Sequence, residues 1–414
     1  MAVKAQSEVA TTDPDRPLAP PDTAASRAAT TPRPALPLVI AVTTLILTYW
    51  CVDIVSPALP EIQRALALSG TGAGLVFAIF FAGRLITNLP AAILVDRLGP
   101  RWTAAIGAGA LLSGSILAAL ATNQVTLLPA RGLQGIGVAL LATAGLLSIL
   151  RALPGGGAAM TAFNIATGVG GSAGLISGGY LTEAISWRAV FWLSAGLGGL
   201  LLAGSVLAGS RAASTPQRDE SAVTPAPASS TRALMGALFA NLLVYGNYSI
   251  WVVSLSLYAA EKFEADAERI GVILLVINAI HLLAAIPAGR LIRRVGALPA
   301  LAAGFSLTAS GLGLVLLAPN QGWLLAPMAL YAVGQVMGNS AAGDLLLRLG
   351  GHGGRAVGLV RLTSDIGLVA GPATVGILAD TAGVQSPFVA LAVVTGAGAI
   401  LAWRSVRRST AWRG

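Results

Sequence analysis

Ionisable side chains interrupt stretches of sequence that are otherwise apolar for about 20 residues, the length that crosses a bilayer as a helix. These residues are Asp53, Glu61, Arg84, Arg131, His281, Arg361 and Asp365. A charged group at the bilayer centre costs at least about 2.5 to 3.5 kcal/mol, so each needs a partner or a water-filled cavity. Groups of this kind can pair with each other or carry protons.

Asp53 and Arg131 are predicted to lie at the same depth. Asp53 stands near the end of the first apolar stretch and Arg131 near the start of the fourth, each about six residues or ~9 Å from the same surface. We expect them to pair when Asp53 is ionised and to separate when it is protonated. Arginine keeps its charge, so the carboxylate is the titrating member. A static salt bridge is the alternative.

Four further ionisable residues lie within the predicted spans. Arg84 and His281 are both predicted about 12 residues, or ~18 Å, from the inner ends of their helices. Histidine titrates near neutrality, so His281 is a candidate proton carrier, with a packed or hydrogen-bonded histidine as the alternative. Arg361 and Asp365 are one helical turn apart and are expected to pair with each other.

The elements that carry these residues are predicted to be membrane helices. Of 414 residues, 55% are hydrophobic and 10% are charged, against about a quarter charged in soluble domains. Glycine, proline and charged residues between the apolar stretches divide the chain into about twelve spans. The first is near 36–59, the second near 71–94 and the third near 102–121. Strand barrels alternate polar and apolar residues, and these runs do not.

Polar segments divide the chain further. The predicted organisation is a disordered cytoplasmic tail (1–35), six helices (36–208), a Pro/Ser/Thr-rich cytoplasmic linker (209–231), six more helices (232–404) and a basic cytoplasmic C-terminus (405–414). With the N-terminus inside, about 19 Arg and Lys residues fall on the inner side against four outside. The net charge of +9 therefore indicates membrane orientation rather than nucleic-acid binding.

The two helix sets are related in sequence. The stretch Asp96–Gly99 recurs at Arg293–Gly296, an offset of 197 residues (293 − 96 = 197). The same offset relates Pro90 to Pro287, Gly107 to Gly304, Gly137 to Gly334, Gly170 to Gly367 and Gly174 to Gly371. An even number of spans per copy orients both copies alike in the membrane, which lets them rock about a central site. A duplicated structural or channel scaffold is the alternative.

Four motifs stand in a fixed order. They are DIVSPALPEI around Asp53 and Pro57, DRLGPR with Asp96, Arg97, Gly99 and Arg101, ARGLQGIG with Arg131, Gln134, Gly135 and Gly137, and GGSAGLISGGYL with Gly170, Gly174, Gly178 and Gly179. In this order they resemble the major facilitator superfamily, and more narrowly its drug:proton antiporter branch. Leu175 stands where the glycine motif of that branch has proline, whereas the second half keeps the pair Gly371-Pro372.

The resemblance implies a fold and roles for these residues. The fold is an all-α integral membrane protein of about 12 helices in two pseudo-symmetric six-helix bundles. The inner-gate motif comprises Asp96, Arg97, Gly99 and Arg101 with Arg293, Arg294 and Gly296, for which solvated topology charge is the alternative. The glycines would allow close helix packing. They also fit a dinucleotide-binding pattern, but that pattern needs a preceding strand and a surface loop, and these glycines lie within a span.

A polar and aromatic stripe is the candidate substrate surface. Its residues are Trp50, Arg84, Gln134, Asn241, Tyr245, Tyr248, Trp251, Tyr331, Gln335 and Asn339, several at helical i, i+3 or i+4 spacing. Bulky, partly apolar molecules would suit such a surface. Hydrogen bonding between helices is the alternative for each polar member.

The predicted function is proton-coupled export of amphipathic small molecules by a monomer in the cytoplasmic membrane of a bacterium. Uptake of a sugar, organic acid or other metabolite by a facilitator-type permease is the alternative. The single cysteine, Cys51, allows no intrachain disulfide, and the sequence has no metal-ligand cluster, phosphate-binding loop or nucleophile–base constellation. We therefore expect no cofactor, no nucleotide or nucleic-acid partner and no enzymatic activity.

Overall fold

A computed structural model describes residues 35–153, 156–207, 231–350 and 354–407. The predicted tail, linker and basic C-terminus lie almost entirely outside these residues. Within the described ranges the regular structure is helical and contains no β-strand. The helices are α1 (Ala35–Asp53), α2 (Leu59–Ala65), α3 (Gly70–Ala119), α4 (Gln124–Ala152), α5 (Gly156–Ala184), α6 (Trp187–Leu207), α7 (Thr231–Ser249), α8 (Leu255–Phe263), α9 (Ala267–Val295), α10 (Ala297–Val315), α11 (Leu325–Gly350), α12 (Gly354–Ala382) and α13 (Ser386–Arg407).

Ten segments of the described chain are long and apolar enough to cross a membrane. α3 supplies two of them, Gly70–Asn88 and Pro90–Ala119, while α7, a π-helical turn at Ile250–Ser254 and α8 together form one. α11 and α13 occupy the remaining predicted positions. α11 is interrupted by polar residues, and the apolar part of α13, Ser386–Leu401, is shorter.

The first predicted span ends earlier as a helix than expected. α1 stops at Asp53, residues 54–58 form turns, and the short helix α2 follows. Pro57 explains the break, because it lacks an N–H and disfavours helical backbone at the preceding residue, Ser56. The carbonyl of Asp53 instead accepts a hydrogen bond from the Ser56 N–H at 3.1 Å.

Backbone geometry repeats at the sequence offset of 197. Gly99 and Gly296 have φ/ψ of 81°/165° and 88°/160°, a left-handed region that glycine adopts without a steric penalty. The N-caps Ser69 and Asp266 match to within 3° in φ and ψ (−69°/171° and −70°/168°). A Cβ on Gly107 would lie 2.9 Å from the Gly137 carbonyl oxygen, and one on Gly304 would lie 2.9 Å from that of Gly334.

In the first span of each copy, the offset between equivalent residues is 196 instead of 197. Gly174 of α5 packs on the Trp50 carbonyl of α1, and Gly371 of α12 packs on the Gly246 carbonyl of α7. Trp50 and Gly246 are separated by 196 residues (246 − 50 = 196), whereas Gly174 and Gly371 keep 197. One additional residue therefore lies in the second copy between Gly246 and the N-cap Asp266.

The first helix set, α1–α6, and the second helix set, α7–α13, contact each other most closely at one end. This Gly70 end carries the start of α3 and the end of α12; the opposite Asp96 end carries Asp96 and Arg293. At the Gly70 end a Cβ on Gly376 would lie 2.6 Å from the Gly70 carbonyl oxygen, and one on Gly179 would lie 2.6 Å from that of Ala267. Hydrogen bonds between described residues of the two sets extend no nearer to the Asp96 end than Asn88.

Candidate functional site

Asp53 lies where four helices from both sets meet. Its Oδ1 accepts a hydrogen bond from the Tyr248 hydroxyl of α7 at 2.8 Å. A Cβ on Gly171 of α5 would lie 2.5 Å from Oδ2, so the missing side chain there makes room for the carboxylate. The neighbouring Ser172 accepts a hydrogen bond from Asn278 of α9 at 3.0 Å. Asp53 is half-buried between the two sets.

Arg131 does not pair with Asp53, so the expected ion pair is wrong for this conformation. The guanidinium is fully buried within the first helix set, where Nε donates to the Val76 carbonyl at 3.1 Å and Nη1 to Gln134 Oε1 at 2.6 Å. It also lies over the ring of Phe80, 4.5 Å from the centroid. The depth prediction fails because depth fixes a level in the membrane and not the face of a helix: Arg131 faces α3, and Asp53 faces α5 and α7.

Asp365 also has a different partner from the one expected. Its Oδ1 forms a salt bridge with Arg84 of α3 at 3.2 Å, and its Oδ2 accepts a hydrogen bond from Asn88. Both carboxylate oxygens are thus used across the interface between the sets, rather than by Arg361 on the same helix. Arg84, Asn88 and Asp365 therefore form a central polar cluster that joins α3 of the first helix set to α12 of the second.

Three members of the predicted polar stripe hold helices together. Asn241 donates to Thr363 and Ser364 of α12 at 2.8 and 2.9 Å. Tyr331 donates to the Asn247 carbonyl at 2.7 Å, and Gln335 donates to the Val244 carbonyl at 3.1 Å. These buried contacts match the alternative, interhelical hydrogen bonding.

The other stripe residues divide by burial. Trp251 is 7% exposed and packs in the core, and Gln134 is buried and donates to Ser115 at 2.8 Å. Trp50 donates from its indole to Ser177 at 2.8 Å. Half-buried positions are occupied by Tyr245, Tyr248 and Asn339. Tyr248 is the member that contacts a central carboxylate directly, because its hydroxyl donates a hydrogen bond to Asp53.

His281 is half-buried on α9, and no hydrogen bond or salt bridge joins it to another described residue. The structure does not bring it beside Asp53 or Arg131. A role as proton carrier stays a prediction.

The predicted inner-gate residues lie at the Asp96 end. Asp96, Arg97, Arg293 and Arg294 are exposed, and no salt bridge links them to each other. Arg101 behaves differently: its guanidinium donates to the carbonyls of Ser205, at 2.9 Å, and Val206 at the end of α6. It thereby satisfies backbone acceptors that the helix end leaves without intrahelical partners.

The glycine motif forms a packing face. Gly170 and Gly174 lie against the carbonyls of Ile46 and Trp50 on successive turns of α1, and Gly178 lies against the carbonyl of Ile54 just past its end. In the second helix set, Gly371 meets the Gly246 carbonyl, and the Pro372 carbonyl meets Gly74 of the first set. Backbone approach of this kind is typical of small residues in membrane helices.

The sequence did not single out Asp380 near the end of α12. Its carboxylate accepts hydrogen bonds from the backbone N–H groups of Gly70 and Thr71, the latter at 2.7 Å. These are free N–H groups at the start of α3, where a helix favours a negative charge. No local pattern links positions 310 residues apart, so only the packing of α3 on α12 reveals this contact.

The fold and the buried charges between two repeated helix sets define a class: a polytopic, all-helical membrane protein with a duplicated architecture. The sequence pattern of the Major Facilitator Superfamily matches residues 41–238 and again 237–414. The chain belongs to this superfamily, and the two successive matches agree with the internal repeat.

Several relatives have names that refer to drug resistance or export. The chain is 34% identical over 152 residues to the multidrug resistance protein Stp of Mycobacterium tuberculosis (strain CDC 1551 / Oshkosh), covering 36% of this chain and 28% of Stp. It is 34% identical over 157 residues to the puromycin resistance protein pur8 of Streptomyces alboniger, covering 36% and 31%. With the cephamycin export protein CmcT of Amycolatopsis lactamdurans it shares 31% identity over 182 residues, covering 42% and 37%. The matches thus span about a third of these relatives' lengths.

Solved structures with low sequence identity share the fold. A bacterial homologue of the human lysosomal transporter Spinster, in an inward-facing and occupied conformation, aligns with a TM-score of 0.72 at 15% identity, over 91% of this chain and 98% of that one. A mutant of the nucleoside transporter NupG aligns with a TM-score of 0.70 at 13% identity, over 90% and 99%.

Proposed function

We propose that the protein is a secondary transporter that exports amphipathic small molecules from a bacterial cell in exchange for protons. The observation that carries this proposal is a pair of repeated helix sets enclosing carboxylates and aromatic residues, in a chain related to proteins named for drug resistance and export. Uptake of a metabolite is the second candidate, and the relatives' names favour export over it.

Residues 36–208 and 232–404 would act as the two bodies that rock against each other. Their close contact at the Gly70 end, with hydrogen bonds extending only as far as Asn88, fits a state open toward the Asp96 end. Orientation by positive charge would make the Asp96 end and both termini cytoplasmic. Cysteines introduced at Arg97 and Arg294 should then react from the same side, and reaction from opposite sides would contradict the parallel duplication.

Asp53 is the proposed proton-coupling residue. Because its carboxylate lies between the sets and binds Tyr248, a change in its charge alters an interaction across the interface that transport must rearrange. Protonation from outside would favour release of substrate outward, and substrate arriving from inside would favour deprotonation. Arg131, held by Gln134 and Val76, would keep the first helix set rigid.

The test is export driven by an imposed pH gradient. Inside-out vesicles containing the protein should accumulate members of a panel of amphipathic dyes and antibiotics when their lumen is acidified. Asp53→Asn should abolish the dependence on the gradient, whereas Asp344→Asn, at an exposed ion pair with Arg348, should leave it unchanged. Unchanged coupling in Asp53→Asn would contradict the assigned role, and the absence of export for the whole panel would contradict the proposed function.

A further inference from the structure

A groove on the outside of the first helix set lies where α5 ends and α6 begins. It has a volume of about 580 Å³, within the range of small-molecule sites. Only residues of the first helix set line it, and the exposed side chains of Ile185 and Trp192 face the bilayer there. The apolar lining consists of Leu181, Ile185, Ala189, Trp192 and Leu193, and the polar lining of Ser186 and Arg188.

Arg188 gives this α5–α6 groove a positive charge that no described residue neutralises. Its Nη2 donates to the Ala121 carbonyl at 3.1 Å, and its guanidinium lies over the ring of Trp187, 4.2 Å from the centroid. These contacts hold the side chain in place, but both partners are uncharged. The three salt bridges of the described residues do not include Arg188. Glu183, the acidic residue nearest to it in sequence, lines the separate cavity between the helix sets.

The internal repeat indicates that the fold does not require this charge. The offset of 197 residues holds here, because Phe191 and its equivalent Phe388 are both fully buried. At the positions equivalent to Arg188 and Trp192 the second copy has glutamine, Gln385, and valine, Val389. The arginine and the tryptophan of the groove therefore belong to the first copy alone, which favours a binding role over a packing requirement.

The position of the groove relative to the bilayer favours a lipid as its ligand. Arg188 stands at the turn between two spans, at the level of lipid headgroups, and Trp192 lies one helical turn, or about 6 Å, deeper. A guanidinium binds phosphate through charge-assisted hydrogen bonds, while an acyl chain can pack on the apolar wall. The ammonium of phosphatidylethanolamine would need an acceptor, and the described lining contains no carboxylate.

We propose that the α5–α6 groove binds an anionic phospholipid of the phosphatidylglycerol type. Its phosphate binds Arg188, and one acyl chain packs along Leu181, Trp192 and Leu193. This site goes beyond the proposed function and does not depend on it, because lipid binding needs neither a substrate nor a proton gradient.

Native mass spectrometry of the full chain in detergent tests the proposal. Titration with phosphatidylglycerol and, separately, with phosphatidylethanolamine of the same acyl chains gives the affinity for the first bound lipid. We expect tighter binding of phosphatidylglycerol, and Arg188→Gln should weaken it about tenfold, as for the loss of one hydrogen-bonded charge. Arg64→Gln is the control, because Arg64 is exposed at the same end of the protein but does not line the groove.

A second variant tests the groove without removing the charge. Ala189→Phe places a ring in the groove and leaves Arg188 in the chain, so it should also weaken the binding of phosphatidylglycerol. If Arg188→Gln fails to fold, this variant decides the outcome.

Four results would overturn the proposal. They are equal affinities for the two lipids, unchanged phosphatidylglycerol binding in either folded variant, an equal loss in Arg64→Gln, and displacement of the lipid by inorganic phosphate. The last would identify a site for a free anion. A protein that binds the lipid through Arg188 but exports nothing would refute only the proposed function.

Discussion

Gly74 offers a direct way to shift the two helix sets at the Gly70 end. It lies on α3 against α12, and a Cβ built on it would lie 3.0 Å from Cα of Gly376 and closer still to the Pro372 carbonyl oxygen. Ordinary contacts between carbon atoms are about 3.5 to 4.0 Å. Backbone on both sides leaves no flexible side chain to move away, so Gly74→Ala should force the sets apart at this end.

The expected magnitude follows from the cost of overpacking. Extra carbon in a tightly packed position costs about 1 to 3 kcal/mol. If this cost applies only to the state closed at the Gly70 end, it shifts the equilibrium toward the other state about 5- to 150-fold. The better helix propensity of alanine, by about 1 kcal/mol, acts equally on both states and cancels.

Distances between spin labels would measure the shift. The exposed Arg64 on α2 and Glu261 on α8 belong to different helix sets and border the same cavity at the Gly70 end, which makes them suitable label sites. The only native cysteine, Cys51, is buried and can be replaced by alanine beforehand. Double electron–electron resonance should show a larger population at long distance in Gly74→Ala.

Gly109→Ala is the matched control, because a Cβ on Gly109, also on α3, meets no atom within 4 Å. An unchanged distance distribution in Gly74→Ala, in protein whose thermal unfolding matches that of the control, would refute the steric argument. A broad distance distribution between the two labels together with early unfolding would show instead that the substitution disrupts the fold.

Two further predictions concern Arg84 and Arg131. Asp365→Asn and Arg84→Gln should each lower the thermal midpoint of unfolding. The double variant should lose less stability than the two single variants added together, with a coupling of about 0.5 to 3 kcal/mol. Additive losses would contradict the salt bridge as a stabilising contact. Arg131→Lys should destabilise the protein by roughly 1 to 3 kcal/mol in chemical denaturation, because lysine cannot reproduce the fork that contacts Val76 and Gln134. Arg348→Lys, at an exposed pair, should cost less than about 1 kcal/mol, and equal effects of the two changes would refute the contrast.

The helices and their repetition could be predicted because the signals are local. Apolar length defines a span, and glycine at the turn between spans two and three has the positive φ that the repeat at Gly296 shares. The early end of α1 could also be predicted from the sequence, since Pro57 is a helix breaker.

Partners of the buried charges could not be predicted in the same way. Sequence position gives the depth of Asp53 and Arg131 in the membrane, but the direction of each side chain depends on how neighbouring helices pack. The salt bridge between Arg84 and Asp365 joins residues 281 apart, and an i, i+4 neighbour, Arg361, was the obvious local choice. Asp365 faces α3 because α12 packs there, which no periodicity within α12 reveals.

The π-helical turn at Ile250–Ser254 explains how the two copies keep the same packing despite unequal lengths. A π turn closes hydrogen bonds five residues apart instead of four, and so holds one more residue than an α turn. It lies in the interval where the spacing between the copies changes from 196 to 197 residues, and it can absorb the additional residue without shifting the helix that follows. The two copies therefore differ in length here by one residue, which the helix accommodates as a local widening beside Tyr248.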